Sequence, residues 1–190
     1  MEPMIILAIS PGVGFEEASW RRVLASGIDA VMIREKTLGS RALLDLTRRV
    51  QDRAPGLRIW VNGRLEVALA AGCGLHAPEA YPEIPESLLP LSRPLHEPSQ
   101  FESRRGAQQL ILSPVFETPG KGPALGVEHL HRRLEALPPF AGDFLALGGI
   151  TPENCGQVCH PRLAGVAMIR SLWQAPDPLG VVARLREAWR

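Results

Sequence analysis

Eight short apolar segments recur along the chain and alternate with helix-like stretches, which leaves few folds open to it. Each segment is hydrophobic almost without interruption, as expected for a strand of a parallel sheet that is buried on both faces. The segments span residues 4–10, 30–35, 58–63, 73–77, 90–96, 109–116, 144–149 and 165–171. This alternation predicts a (β/α)₈ TIM barrel, with a doubly wound open sheet as the alternative.

The intervening stretches carry helical signals but are short. They cover residues 16–26, 40–53, 64–71, 98–105, 127–137, 152–158 and 177–189. The chain has 190 residues, against roughly 250 in a typical barrel of this kind. We therefore expect one compact domain over residues 1–190 with shortened helices. Segment 81–90 contains three prolines and is predicted to form a loop or a single turn.

The composition excludes several classes of protein. A net charge of +1, with 45% hydrophobic residues, fits a globular protein and argues against nucleic acid as the main partner. Because no apolar run reaches ~18 residues and the start MEPMIILAIS lacks the features of a signal peptide, we expect a cytoplasmic protein without a membrane partner. Three cysteines are expected to be free thiols, and the Cys155, Cys159 and His160 group is interpreted as packing residues rather than a metal site.

Polar residues collect where the predicted strands end, which is where TIM barrels place their active sites. Basic and acidic residues follow the second strand, an asparagine follows the third, and histidines end the fourth and fifth. A threonine and a lysine follow the sixth strand, glycines end the seventh, and an arginine ends the eighth. The candidates in chain order are Arg34, Glu35, Lys36, Asn62, His76, His96, Thr118, Lys121, Gly148, Gly149, Ile169 and Arg170.

These strand ends predict a cavity for a small phosphorylated molecule. The sequence LGGITPEN places Gly148 and Gly149 before a predicted helix, where exposed backbone N–H groups favour an anion. Lys36 and Lys121 are the only lysines of the chain, and both follow strand-like segments. They would supply mobile positive charges to the same cavity.

On these residues the chain resembles the thiamine phosphate synthase and TenI superfamily over nearly its whole length. MIREK resembles the R-E-K segment after the second strand, and SPVFETPGK resembles the P-V-F-x-T-x-x-K segment after the sixth. LALGGITPEN resembles A-I-G-G-I-T-P-x-N after the seventh strand, and GVAMIRSLWQAPDP resembles the segment around the eighth.

The synthases of this superfamily join a pyrimidine pyrophosphate to a thiazole phosphate and hold Mg²⁺ on carboxylates of an N-D motif and an H-L-G-x-x-D motif. The first motif reads Asn62-Gly63 here, and the second begins at His76 and ends at Tyr81, so both aspartates are absent. A synthase glutamine is replaced by Met32, and a serine by Pro94. The resemblance therefore implies no cofactor, with Mg²⁺ expected only if the chain is a synthase.

The TenI branch also lacks those aspartates, and VNGRLEVA at residues 61–68 is similar to its segment after the third strand. This branch includes thiazole tautomerases, which shift a proton to give the aromatic thiazole phosphate carboxylate. Their histidine in G-H-V-F is Pro114 here. We therefore predict a relocated acid or base: His76 first, His96 second, and Glu35 as a further candidate, since histidine suits proton transfer near neutral pH.

In this interpretation Arg34 and Lys36 bind a carboxylate or second anion, and Gly148, Gly149, Ile169 and Arg170 bind the phosphate through backbone N–H groups. Asn62 lines the same cavity, and Thr118 with Lys121 closes it. The expected ligand is a phosphorylated thiazole. The alternatives are a thiamine phosphate synthase and a non-catalytic protein that senses or carries a thiamine-related phosphate. A homodimer through exposed Trp173 or Trp189 is also expected.

Overall fold

A computed structural model of the chain describes residues 4–12, 14, 16–120 and 122–189. Its eight parallel strands are hydrogen-bonded in sequence order and close into a barrel, with the last strand paired to the first. The strands are β1 (Ile5–Ile9), β2 (Ala30–Ile33), β3 (Arg58–Asn62), β4 (Gly74–His76), β5 (Leu91–Pro94), β6 (Gln109–Leu112), β7 (Asp143–Leu147) and β8 (Gly165–Met168). The predicted (β/α)₈ barrel is confirmed, and the open-sheet alternative is wrong.

Closure depends on a glycine at the seam between β8 and β1. Gly165 pairs with Ile5, and a Cβ atom at Gly165 would lie 1.9 Å from the Ile5 carbonyl oxygen. Real Cβ atoms essentially never approach so closely, so a side chain at this position would force the two strands apart.

The helices are short, as the length of the chain requires. They are α1 (Glu17–Leu24), α2 (Ser40–Arg53), α3 (Leu65–Ala71), α4 (Val127–Ala136), α5 (Cys155–Val158), α6 (Arg170–Trp173) and α7 (Pro178–Ala188). No helix or strand joins β4 to β5, which confirms the loop predicted from the three prolines of residues 81–90.

The helix predicted at 98–105 is wrong in type. Only a 3₁₀ turn forms, at Pro98–Gln100, and a run of turns follows it. The backbone N–H groups of Phe101, Arg104 and Ala107 each bond to the carbonyl three residues earlier. An i→i−3 pattern winds more tightly than an α-helix and is common in short connections. The side chain of Gln100 also accepts bonds from the backbone N–H groups that open the turn.

The core has two layers because successive strand residues point to opposite faces of the sheet. The layer outside the barrel packs strands against helices and includes Trp20, Leu43, Leu110, Leu130 and Val166. The layer inside the barrel consists of Leu7, Ile9, Ala30, Met32, Trp60, Ile111, Leu145 and Ala167. This alternation also decides which residues beyond the strand ends face the barrel axis.

Tryptophan burial corrects the expected dimer surface. Trp173 packs edge-on against Trp20, with ring centroids 4.8 Å apart, and both Trp173 and Trp189 are buried. Neither ring is therefore available as an exposed apolar contact. Among the residues that the structure describes, the exposed large hydrophobic side chains are Leu69, Leu88 and Leu179. In the same residues, no helix combines the length and the apolar character needed to cross a membrane.

Candidate active site

The candidate site lies at the mouth of the barrel, which is the end where the carboxyl ends of the eight strands meet. Arg34 follows β2 and continues the inward-facing series of Ala30 and Met32, whereas Glu35 belongs to the outward-facing series of Val31 and Ile33. Because adjacent residues of an extended chain point in opposite directions, Arg34 and Glu35 cannot both face the cavity.

Glu35 is buried and holds the loop between β1 and α1. Its Oε1 accepts a hydrogen bond from Ser10 Oγ at 2.6 Å, and its Oε2 accepts one from the Gly14 backbone N–H at 2.8 Å. Ser10 Oγ in turn accepts a bond from the Arg34 backbone N–H at 2.8 Å. Both carboxylate oxygens are thus engaged by the loop. This geometry gives Glu35 a structural task and does not support its predicted role as a base.

His76 ends β4 and stands beside Asn62, its Cα partner on β3. Its Nδ1 lies 2.9 Å from Ser92 Oγ on β5. Burial, together with the smaller effect of the positive charges of Arg34 and Arg93, lowers the pKa of His76 from 6.5 to about 4. His76 is therefore a neutral imidazole at physiological pH, surrounded by cations rather than acids.

His96 is held in a different environment. Its Nδ1 lies 3.2 Å from the Ser113 carbonyl oxygen, which can only accept, so this nitrogen carries a proton. Its Nε2 lies 3.6 Å from Glu79 Oε2. Glu79 also binds Arg104 through both carboxylate oxygens and Gln100 through one, and the Arg104 bonds hold the pKa of the Glu79 carboxyl below its usual value. Both ring nitrogens of His96 therefore face fixed protein groups, and His76 is the better proton-transfer candidate.

Unpaired positive charge collects at the mouth. None of the ion pairs between described residues includes Arg34, Lys36 or Arg93. Lys36 is exposed, whereas Arg34 and Arg93 are half-buried. Arg93 belongs to the outward-facing series of Leu91 and donates a bond to the Pro82 carbonyl oxygen at 3.5 Å, so Arg34 and Lys36 are the cations left for the cavity itself. Desolvating a cation without an acidic partner is costly, so this arrangement suits an anionic ligand.

The glycine pair after β7 permits a close approach between two loops. Gly148 and Gly149 have φ values of +114° and +65°, which side chains rarely adopt. A Cβ at Gly148 would lie 2.8 Å from Pro114 Cα, and one at Gly149 would lie 2.7 Å from Phe116 Cβ. The loop after β7 therefore packs directly against the loop after β6.

The loop after β8 joins the same side of the mouth. Arg170 and Ser171 are the first residues of α6, where backbone N–H groups have no acceptor within the helix. Ser171 Oγ donates to the Ile150 carbonyl oxygen at 2.8 Å, which ties this loop to the loop after β7. A shallow cavity of about 430 Å³ is lined by Arg170, Ser171, Gln174 and Ala175. The structure thus brings the predicted phosphate residues Gly148, Gly149, Ile169 and Arg170 to two joined loops.

The remaining predicted residues have mixed positions. Asn62 ends β3 beside His76. Thr118 donates its hydroxyl to the Phe116 carbonyl oxygen at 3.2 Å, within its own loop. Lys121 lies outside the residues that the structure describes.

Three residues near His76 were missed from the sequence: Ser92, Arg93 and Gln109. Ser92 and Gln109 are fully buried polar side chains within apolar strands. That is the signal that could have found them, because a polar residue in a strand buried on both faces needs a partner.

The cysteine group behaves as a packing feature. Cys155 is buried, and burial, with a smaller contribution from Cys159, raises the pKa of its thiol to about 12. In the part of the chain that the structure describes, no group of three or more His, Cys, Asp or Glu residues could hold a metal ion.

A larger cavity of about 440 Å³ lies elsewhere, among residues that flank the amino ends of β3, β4 and β5. Its lining includes Arg58, Trp60, Cys73, Gly74 and Pro90. None of the candidate site residues lines it. We therefore place the candidate site at the opposite end, where the charges and the glycine loops converge.

Comparison with known proteins identifies the family. The profile described as thiamine monophosphate synthase matches residues 15–172. A thiamine-phosphate synthase from Syntrophomonas wolfei is 33% identical over 89% of this chain and 86% of its own length. Another from Moorella thermoacetica is 34% identical over 88% and 85%.

A solved structure of thiamine phosphate pyrophosphorylase from Pyrococcus furiosus superposes with a TM-score of 0.82 over 97% of this chain and 95% of that one. At 22% identity, this likeness concerns the fold alone. The relatives carry the name of the synthase, so they do not support the predicted preference for the TenI branch or for an isomerase. The chain belongs to the thiamine monophosphate synthase family, also called TMP-TENI.

Proposed function

We propose that this chain is an enzyme of thiamine biosynthesis that binds a thiazole phosphate at the mouth of its barrel. The observation that carries the proposal is Arg34, an inward-facing cation that belongs to none of the ion pairs between described residues and whose charge acts on the neutral His76. The joined loops after β7 and β8 supply glycine backbone and a helix start on the same end of the barrel. Such a mouth suits a ligand with a phosphate and a second negative group.

Thiamine-phosphate synthase is the first candidate activity, because the named relatives carry it. In this reaction a bond forms between the thiazole phosphate and the pyrimidine, and pyrophosphate leaves. Negative charge grows on the leaving oxygen in the transition state. Arg34 and Lys36 are the residues of this chain that would stabilise that charge.

The residues of this mouth do not suit the Mg²⁺ that the family's synthases use. Mg²⁺ prefers oxygen ligands, usually carboxylates together with substrate phosphates. Gly63 and Tyr81 stand where the family motifs place aspartates. Glu79, the nearest acid in sequence, is occupied by Arg104 and Gln100. The proposed reaction therefore uses no metal ion. The cationic side chains of the mouth are proposed to neutralise the charge of the substrate instead.

Thiazole tautomerase activity is the second candidate, and one observation favours it. This reaction needs a proton donor or acceptor and a grip on a phosphate, without a metal. His76 is neutral and bonded on one side to Ser92, which leaves Nε2 for a substrate. His76 is therefore proposed to move the proton that Pro114 cannot.

Two assays on purified protein of residues 1–190 separate these activities. Thiazole phosphate and pyrimidine pyrophosphate are incubated with the protein, in Mg²⁺ or in EDTA, and thiamine phosphate is followed by chromatography. In parallel, conversion of the thiazole phosphate carboxylate to its aromatic tautomer is followed by ultraviolet absorbance. His76→Gln is compared with His129→Gln, a matched change at an exposed histidine on α4.

Formation of thiamine phosphate supports the first candidate, and loss of tautomer conversion in His76→Gln alone supports the second. Ligand binding without either reaction would contradict an enzymatic role and favour a sensor or carrier. Failure to bind any of these phosphates would overturn the whole proposal.

A further inference from the structure

A buried row of polar side chains runs across three neighbouring strands beneath the mouth. His76, Ser92 and Gln109 are successive Cα partners on β4, β5 and β6, so their side chains project from the same face of the sheet. Ser92 and Gln109 have no exposed surface. Such a row in an otherwise apolar barrel interior costs free energy unless its members bond to one another.

The members of the row are connected by two hydrogen bonds. Gln109 Nε2 donates to Ser92 Oγ at 2.8 Å, and Ser92 Oγ lies 2.9 Å from His76 Nδ1. Ser92 has a single hydroxyl proton and accepts from Gln109. The direction that completes the row is donation of that proton to His76 Nδ1. A nitrogen that accepts a hydrogen bond carries no proton, so the proton of the neutral ring then lies on Nε2.

From this geometry we propose that Ser92 and Gln109 are positioning residues that hold His76 as its Nε2–H tautomer, so that the ring presents a proton donor to a ligand in the mouth. The row orients the ring but does not conduct protons, because an amide nitrogen at its far end cannot release one at neutral pH. His76 would therefore act as a neutral hydrogen-bond donor to an anionic oxygen.

The charges around His76 agree with this assignment. Arg34 and Arg93 are the charged groups that act on the ring, and both are positive. Among the residues that the structure describes, no carboxylate bonds to the ring, and the charges that act on it disfavour a second proton. A hydrogen-bond donor in the mouth would contact the ligand of the proposed function. The tautomer of His76 does not depend on that function, whereas the identity of the ligand rests on it.

The test is the ¹⁵N spectrum of the imidazole rings in protein of residues 1–190 at pH 7, where two-bond proton correlations distinguish the two tautomers. The His76 signals are assigned by their loss in His76→Gln. Wild-type protein should show the Nε2–H form. Ser92→Ala should lower the ratio of Nε2–H to Nδ1–H by about tenfold, since it removes the hydroxyl that donates to Nδ1. Gln109→Met should move the ratio in the same direction, and it gives a second variant if Ser92→Ala does not fold.

Ser26→Ala is the matched control, because Ser26 is equally buried but bonds to the Val23 carbonyl oxygen, away from the mouth. It should leave the His76 spectrum unchanged. An Nδ1–H form in wild-type protein would overturn the proposal without any variant, as would an unchanged ratio in a folded Ser92→Ala protein. Neither outcome would say anything against binding of thiazole phosphate. Conversely, a failure to bind that ligand would not change the tautomer measured for His76, so the two failures can be distinguished.

Discussion

The neutral state of His76 makes a quantitative prediction about stability in acid. The pKa of His76 is about 4 in the folded protein and 6.5 for an unperturbed ring. Between these values the unfolded chain binds a proton on this residue and the folded protein does not. The free energy of unfolding should therefore be fully retained above pH 6.5, fall as the pH drops toward 4, and lose nothing further from this group below that.

Since one pKa unit corresponds to about 1.4 kcal/mol, His76 should lower the free energy of unfolding by about 2 kcal/mol at pH 5 relative to pH 8. His76→Gln removes this dependence, although it also changes stability by an amount that does not vary with pH. The informative quantity is the difference between wild type and variant as a function of pH.

Urea unfolding at a series of pH values, followed by circular dichroism, measures that difference. His129→Gln is the control, because the residue is exposed on α4. Arg34→Gln should make the loss of stability in acid smaller, since it removes one of the charges that lower the pKa of His76 and so brings the folded-state pKa closer to 6.5. A difference between wild type and His76→Gln that stays constant within about 0.5 kcal/mol from pH 5 to pH 8 would show that folding does not lower the pKa of His76.

Three further predictions concern the scaffold. Glu79→Gln leaves the buried Arg104 without its acidic partner and should lower the free energy of unfolding, measured in urea, by about 1–2 kcal/mol. The loss is modest because Glu79 itself is half-exposed, and no loss would show that this ion pair is dispensable. Gly165→Ala should destabilise the barrel by about 3 kcal/mol in the same assay, because the added Cβ would collide with Ile5. Gly39→Ala is the control, since a Cβ there meets no atom within 4 Å, and equal effects of the two changes would contradict the role of Gly165 in closing β8 against β1. Cys155 should react with iodoacetamide at pH 8 about a hundredfold more slowly in the folded protein than in urea, as followed by mass spectrometry, because its raised pKa leaves little thiolate; equal rates would contradict its burial.

The eight parallel strands could be predicted from the sequence because they are buried on both faces. The continuous apolar segments mark all eight strands, and the prolines of residues 81–90 mark the connection that lacks a helix. Closure could not be predicted in the same way. It depends on contacts between the ends of the chain, such as the approach of Gly165 to Ile5, which no local pattern reports.

The candidate site was predictable in place but not in detail. The predicted strand ends located the mouth, and the sequence IREK predicted that Arg34, Glu35 and Lys36 all line it. In the structure, strand alternation instead points Glu35 outward, where it bonds to the loop after β1. Nor does the sequence rank His76 above His96, because the difference depends on partners far along the chain: Ser92 for one ring, and Ser113 with Glu79 for the other.

Cationic side chains of the mouth are proposed to hold a phosphorylated thiazole without a metal ion. This binding is measured by isothermal titration of wild-type protein and Arg34→Ala with thiazole phosphate in EDTA, with Arg132→Ala on the outer helix layer as the control. We expect binding by wild type and the control, and an affinity about tenfold lower or worse in Arg34→Ala, since a charge-assisted bond is lost. Binding that requires Mg²⁺, or that is equally strong in Arg34→Ala, would show that Arg34 does not hold the phosphate in this way.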